Sequence, residues 1–553
     1  MQKRLTNILT VLAAIIATNI LASFVFFRWD LTQEKRFTVA EGTKNVLGSL
    51  EDQVFVTVYL SGDLPAGFER LEAATRETLD DFKAYAGTKM SVRYVDIAAE
   101  TNPEKRSERY AELEKKGMVA TNVFAGTSDQ RTEKLLFPYA LLSYKGRETP
   151  VLLLKGNKTA TAEQQLNQSY EGIEFELITG IKKITQTKRK RMGLIVSHTK
   201  VSPERFSDLI ATLQQNYDLF FDVDGSGKVS GSYAGLDAIL VPKPDVPFTD
   251  AEKYQIDQFV VNGGRALFFV DGARVDSISA EGTFALPLSL NLDDLFFKYG
   301  FRINPNLVKD LSCAYIPLNV GNSGEKPNIQ PMPWRFFPLI NNFGKHPIVR
   351  NLDAIYTKFT STIDTVRAEG IKKTPLQMTS QYTKTLQTPA AVAYNEARQK
   401  IDPTQYNGGV QTVAYLLEGK FESLYKNRVL PSDPRHATFR AQNKDTKIVV
   451  CSDGDVLIND IDYKRQAPLP LGFDKLTRNI FANKDFILYA VDYLLDDNGL
   501  ITARNKQVTL RPLDKLRLKE EKNQWQALNM VLPVVLVLTL GGLWQWYRRR
   551  QFA

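Results

Sequence analysis

The stretch AILVPKPDVPFTDAEKYQIDQFVVNGGRALFFVD, residues 238–271, decides the fold. It opens on a short apolar run and closes on another at 266–270. Short continuous runs of this kind suit strands buried on both faces of a sheet. Between them Thr249 precedes a helix over 250–262, and Glu252 sits three residues further on, which is the spacing of a capping box. Gly263 and Gly264 end that helix. Strand, helix and strand at these lengths make the repeating unit of a parallel sheet covered by helices.

The same alternation extends in both directions. Residues 192–197 (MGLIVS) read as a strand, and 203–216 as a helix with Phe206, Leu209, Ile210 and Leu213 on one face. Residues 219–223 read as a further strand. Downstream, 447–451 (KIVVC) is a strand, and 479–495 is a helix with Phe486, Ile487, Ala490, Val491 and Leu494 at helical spacing. Residues 300–440 carry β-like runs such as 414–418 among Pro- and Gly-rich loops, and read as an insertion that adds edge strands. The expectation for 191–500 is one α/β domain, a parallel sheet of flavodoxin-like or class I amidotransferase-like type, with 300–440 inserted.

Upstream, 28–50 reads as a polar connector. Strands are expected at 54–60 (VFVTVYL), 90–97, 119–124, 133–144 and 149–154, with helices at 68–86 and 103–116. This order over 36–160 resembles a thioredoxin-like fold. It lacks a CxxC pair, which excludes thiol redox chemistry there. Residues 161–190 read as a helix (162–185) followed by a basic linker.

Each end of the 553-residue chain carries an uncharged apolar segment, at 5–27 and 527–547. As helices, 23 residues rise about 34 Å, enough for a hydrocarbon core of about 30 Å. The first is expected to be an uncleaved anchor, because Phe24, Phe26 and Phe27 stand where a cleavage site would need small residues. The second has Trp525, Trp544, Trp546 and Tyr547 at its edges and Arg548, Arg549 and Arg550 directly after it. Lys3, Arg4 and the three terminal arginines favour both termini in the cytoplasm and a body outside it. The expectation is a two-pass inner-membrane protein with a large periplasmic body and a connector at 501–524.

Composition excludes some functions. Net charge is +9 over the whole length, with no basic tract interleaved with aromatics, so no nucleic-acid partner is expected. Cys313 and Cys451 fit neither a disulfide framework nor a zinc pattern and read as buried free thiols. The loop DGSGK at 224–228 lacks the preceding Gly and following Ser/Thr of a phosphate loop, and Tyr233 stands where a calcium loop needs its bidentate acid; it reads as a turn.

His198, Asp271 and Asp453 each follow a strand of the same sheet, at the carboxyl edge where open α/β sheets place ligands. With Asp455 they define a possible ligand or partner crevice. The plainer reading of 452–455 (SDGD) is a tight turn with Asx hydrogen bonds. No serine or cysteine follows a strand as a nucleophile elbow, so no catalytic residue is expected, and no metal or cofactor site either. His346 and His436 have no metal-ligand spacing around them.

Five segments in combination carry a family resemblance: RFTVAEGTKNVLGSLEDQVFVTVYLSGDLP (36–65), HPIVRNLDAI (346–355), VAYLLEGKFESLYKNR (413–428), VVCSDGDVLIND (449–460) and NKDFILYAVDYLLDD (483–497). The chain is similar over nearly its whole length to the GldG family, gliding-motility-associated ABC transporter components of Bacteroidetes. The resemblance implies a periplasmic body, a GldF-like permease and a GldA-like ATPase as partners, and no defined catalytic residues. That family is called substrate-binding, but this chain lacks the lipobox cysteine of ordinary importer binding proteins. The function expected is therefore a non-enzymatic, membrane-anchored component of an ABC transporter. Its rivals are a periplasmic scaffold for gliding or envelope machinery and a hydrolase using the crevice.

Overall fold

The computed structural model describes residues 38–125, 132–154, 162–223, 233–279, 281–323, 326–429, 432–462, 464–505 and 521–552. The anchor expected at 5–27, the DGSGK loop and most of the 501–524 connector lie outside these. The chain divides into two compact units, residues 1–506 and 507–553. The first is a mixed α/β structure built on two main sheets.

The amino-terminal sheet comprises β1 (Val54–Val58), β2 (Met90–Tyr94), β3 (Tyr139–Tyr144) and β4 (Arg147–Leu152) in the order β2-β1-β3-β4. β1 is parallel to β2 and antiparallel to β3. The β3–β4 hairpin turns through Lys145 and Gly146, both at positive φ (47° and 78°), the two-residue turn whose twist matches that of paired strands. Its helices are α1 (Glu41–Gly48), α2 (Ala66–Ala86), α3 (Pro103–Lys115) and α4 (Ala162–Thr185). Alternate residues Val54, Val56 and Val58 pack with Leu71, Leu79 and Phe82 of α2 and with Ile173, Leu177 and Ile181 of α4.

Two expectations are corrected here. The 28–50 connector contains α1, which buries Val46 and Leu47; the helix is too short for its periodicity to stand out in sequence. The single strand expected over 133–144 is two, Thr132–Leu136 and β3. Pro138, with no N–H to give a ladder, lies in the break between them.

The larger sheet takes its strands from β5 (Arg191–Leu194), β6 (Asp218–Phe221), β7 (Ala238–Pro242), β8 (Arg265–Phe269), β9 (Asn342–Phe343), β10 (Ile371–Met378), β11 (Thr412–Lys420) and β12 (Asp445–Cys451), in the order β9-β10-β11-β12-β8-β7-β5-β6. From β6 to β12 the pairings are parallel; β9 to β11 extend that sheet with antiparallel pairings. The helices α5 (Ser207–Gln214), α6 (Asp250–Val261), α7 (Asp293–Tyr299) and α8 (Asn483–Leu495) cover it. Period-two alternation divides the central strands between two cores. Leu240, Leu267, Phe269, Val449 and Cys451 meet Leu209 and Leu213 of α5 and Phe486, Ala490 and Val491 of α8. Ile239, Val241, Phe268, Ile448 and Val450 meet Ile256 and Val260 of α6 and Leu295 and Phe296 of α7. Strands apolar on both faces follow directly from this arrangement.

The capping box is formed: Thr249 Oγ1 accepts from Glu252 N, and Glu252 Oε2 accepts from Thr249 N at 2.8 Å. Both cysteines are buried free thiols.

In the second unit the described residues include one long helix, α9 (Lys522–Phe552). Residues 524–551 have a mean hydropathy of 2.0 in their most apolar window and bury none of it within the structure, so α9 is long and apolar enough to cross a membrane.

Candidate functional site

The parallel strands bring their carboxyl ends to one edge of the sheet. The chain runs from β5 outward to β6 and then returns to β7 on the other side of β5, so the strand order reverses between β5 and β7. In open α/β sheets that reversal is where ligands settle.

Three of the sequence-nominated residues meet at this edge. Carboxylate oxygens of Asp271, Asp453 and Asp455 lie within 4.8 Å of one another. They follow β8 and β12, strands that are hydrogen-bonded neighbours. A lysine that sequence reading passed over completes the group. Lys243, directly after β7, donates to Asp271 Oδ2 and to Asp455 Oδ2, each at 2.6 Å. Asp453 is fully buried and accepts from the backbone N–H groups of Asp455 (2.8 Å) and Lys358 (2.6 Å). Asp271 Oδ1 accepts from Gly454 N at 2.7 Å. Gly454 lies against Lys243 so closely that a Cβ there would stand 2.5 Å from the lysine Cβ.

The electrostatics follow from burial and pairing. Burial by itself would lower the Lys243 pKa, but the charges of Asp271 and Asp455 hold it above the usual lysine value. Burial, and then the neighbouring carboxylates, push Asp453 well above the usual carboxylate range. Asp455 is held below that range, because Lys243 and Lys358 outweigh the burial that would raise it. One ammonium thus offsets part of the negative charge of the three clustered acids.

His198 does not join this group. Its Nδ1 contacts Ser197 Oγ at 2.8 Å, its Nε2 contacts Glu252 Oε2 at 3.3 Å, and its ring stacks on Phe248 at 3.7 Å. Its carbonyl accepts from Asp245 N (2.8 Å) and Val246 N (3.1 Å), so the loop after β7 is tied to the end of β5 across the point of reversal. The capping carboxylate of α6 therefore also orients the histidine. Burial opposes the Glu252 charge, but hydrogen bonds from Thr249 and the nearness of His198 keep its pKa below the ordinary value. Asp222 turns inward, accepting from Val196 N and from Ser197 N and Oγ.

Two features warn against reading this edge as chemically active. The lysine and carboxylates are bonded to one another or to backbone, and the crevice at the reversal is bridged by main-chain hydrogen bonds. A general base or nucleophile needs a free lone pair aimed at substrate. The nominated aspartates each make hydrogen bonds that hold the loops after the strands. Lys243 was missed because a lysine in a Pro-rich loop (VPKPD) carries no spacing signal; its place directly after the apolar run 238–242 was the only cue in the sequence.

A family model described as "ABC-type uncharacterized transport system" matches residues 189–490, more than half of the chain. A second, described as a domain of unknown function, matches residues 33–143. An "Uncharacterized protein" of Borreliella burgdorferi is 21% identical over 543 residues, covering 96% of this chain and 95% of that protein. A solved structure, the "mmIFT52 N-terminal domain", is 13% identical and overlaps 55% of this chain and 97% of its own, with a TM-score of 0.29, too low a likeness to support any inference. The match over 189–490 spans the sheet and the quartet of charged residues at its edge, and the chain belongs to the ABC-type transport system auxiliary family.

Proposed function

We propose that the chain is a non-enzymatic, membrane-anchored periplasmic component of an ABC transport complex associated with gliding motility, of the GldG type, working with a GldF-like permease and a GldA-like ATPase. The observation that carries this reading is the pairing of a transport-family body with the apolar, unburied α9. The edge supports it further, since Lys243 is paired with Asp271 and Asp455 and Asp453 is held by backbone N–H groups. In this reading the amino-terminal segment 5–27 forms a second span and both termini face the cytoplasm. The body then sits across the membrane from nucleotide, and the energy for transport comes from the separate ATPase. In this reading its amino-terminal region has a thioredoxin-like fold without redox chemistry, and the larger sheet a flavodoxin-like or class I amidotransferase-like fold without catalysis.

The placement of the body is tested by cysteine labelling in intact cells. Background is low by construction, because Cys451 is fully buried and burial pushes the Cys313 thiol up to about 11. Ser277→Cys introduces one thiol at an exposed position. A membrane-impermeant maleimide that labels it after outer-membrane permeabilisation supports the periplasmic body. Labelling only after the inner membrane is lysed contradicts it.

A further inference from the structure

A groove of about 660 Å³ lies where β4, the carboxyl end of α4, the end of α5 and the end of α8 come together. It is built mostly from chain outside both matched segments, residues 147–187 and 492–501. The size is that of small-molecule sites, and a junction between two cores is a usual place for one.

Its charges are unevenly committed. Lys182 pairs with Asp496 at 3.3 Å, Lys190 with Asp497 at 2.6 Å, and Glu148 with Lys116 at 3.0 Å. Asp492 accepts from the Tyr217 hydroxyl, and burial pushes its carboxyl up to about 6. That accounts for the four acids that line the groove. Lys183 is left over: among the described residues it makes no hydrogen bond or ion pair, and burial, with Arg189 nearby, lowers its pKa. In the same lining, the side-chain oxygen of Asn216 is buried with no hydrogen-bond partner. A half-buried ammonium with no ion pair, drawn only by the more distant Asp492, and a buried acceptor without a donor are each costly, and one ligand answers both. Phe175, Leu495 and Ile501 supply apolar wall beside them.

We propose that this groove binds a small organic anion, a carboxylate or phosphate, that carries an N–H or O–H donor beside its charge. Lys183 binds the anionic group and Asn216 accepts from the donor. The site stands apart from the transport reading, since it rests only on the groove's own unsatisfied groups.

The test is calorimetric titration of the full-length protein in detergent with three probes: N-acetyl-alanyl-alanine, its C-terminal amide, and inorganic phosphate. The free acid or phosphate is expected to bind, and which of them binds tighter identifies the anion. Lys183→Met should weaken that binding by about tenfold or more, and Lys183→Arg should retain it. Asn216→Ala should weaken the peptide acid, which gives it an N–H, and phosphate, which gives it a P–O–H. Thr179→Trp, one turn from Lys183 on the same helix, fills the groove and should abolish binding of both. The proposal is overturned if neither anion binds at millimolar concentration, if the uncharged amide binds as well as the acid, or if Lys183→Met or Thr179→Trp binds like the parent.

Discussion

Two lysines in this chain stand near buried acids, and they have opposite fates. Lys243 at the sheet edge sits between two carboxylates at 2.6 Å, and its pKa is raised. Lys183 in the groove has no such partner, and its pKa is lowered. The difference lies in the geometry of the acids. After β8 and β12, backbone turns hold the aspartates fixed around the Lys243 ammonium. In the groove, each acid is already spoken for by another group. A satisfied charge cluster holds a fold together, whereas an unsatisfied one is open to a ligand.

The largest effect should come from breaking the satisfied cluster. Lys243→Met leaves Asp271, Asp453 and Asp455 without their cation, and should destabilise the protein by about 3–5 kcal/mol in urea unfolding. A loss under about 1 kcal/mol would erase the contrast between the two lysines.

A buried histidine sharpens the same contrast. His346 accepts from Ile348 N through Nδ1 at 3.3 Å and packs edge-on against Tyr493, a geometry that needs the neutral ring. Burial lowers its pKa from 6.5 to about 4. The native state therefore binds fewer protons than the unfolded state between those values. Its contribution is complete above pH 6.5, falls as the pH drops through 6.5, and is gone below about 4. A loss of roughly 2 kcal/mol over that window is expected. His346→Phe should flatten this limb of the stability–pH curve, and an unchanged limb would contradict the assignment.

A smaller effect is expected at the α6 cap. Thr249→Ala removes the capping hydroxyl and should cost about 1 kcal/mol by thermal melting. It also removes one of the two hydrogen bonds that Thr249 gives the Glu252 carboxylate that orients His198. The smallest effect should come from the unsatisfied site: Lys183→Met should change stability by no more than about 0.5 kcal/mol, or raise it, because no ion pair is lost. A loss comparable to that of Lys243→Met would show that Lys183 has a structural partner.

Much of the α/β architecture was legible because its signals are local. Apolar runs at 238–242 and 266–270 with a capped helix between them state a strand–helix–strand unit in 34 residues. The clustering of Asp271 with Asp453 was legible for a related reason: each follows an apolar strand, and parallel strands put their carboxyl ends together. What stayed hidden depends on distance in the chain. The pairing of Lys243 with Asp455 joins residues 212 positions apart, and nothing in VPKPD announces it. The contact of His198 with Glu252 was not legible, because Glu252 reads in the sequence only as a cap. The groove was invisible for the same reason, since β4, α4, α5 and α8 contribute to it from widely separated stretches.

The central claim, that this chain serves an ABC transporter rather than acting alone, is tested most directly by affinity purification of the tagged full-length protein from native membranes. The account predicts that a permease and an ATPase co-purify in constant ratio, and that both are lost when residues 524–551 are replaced by an unrelated membrane-spanning helix. Recovery of the protein alone, with neither subunit, would contradict it.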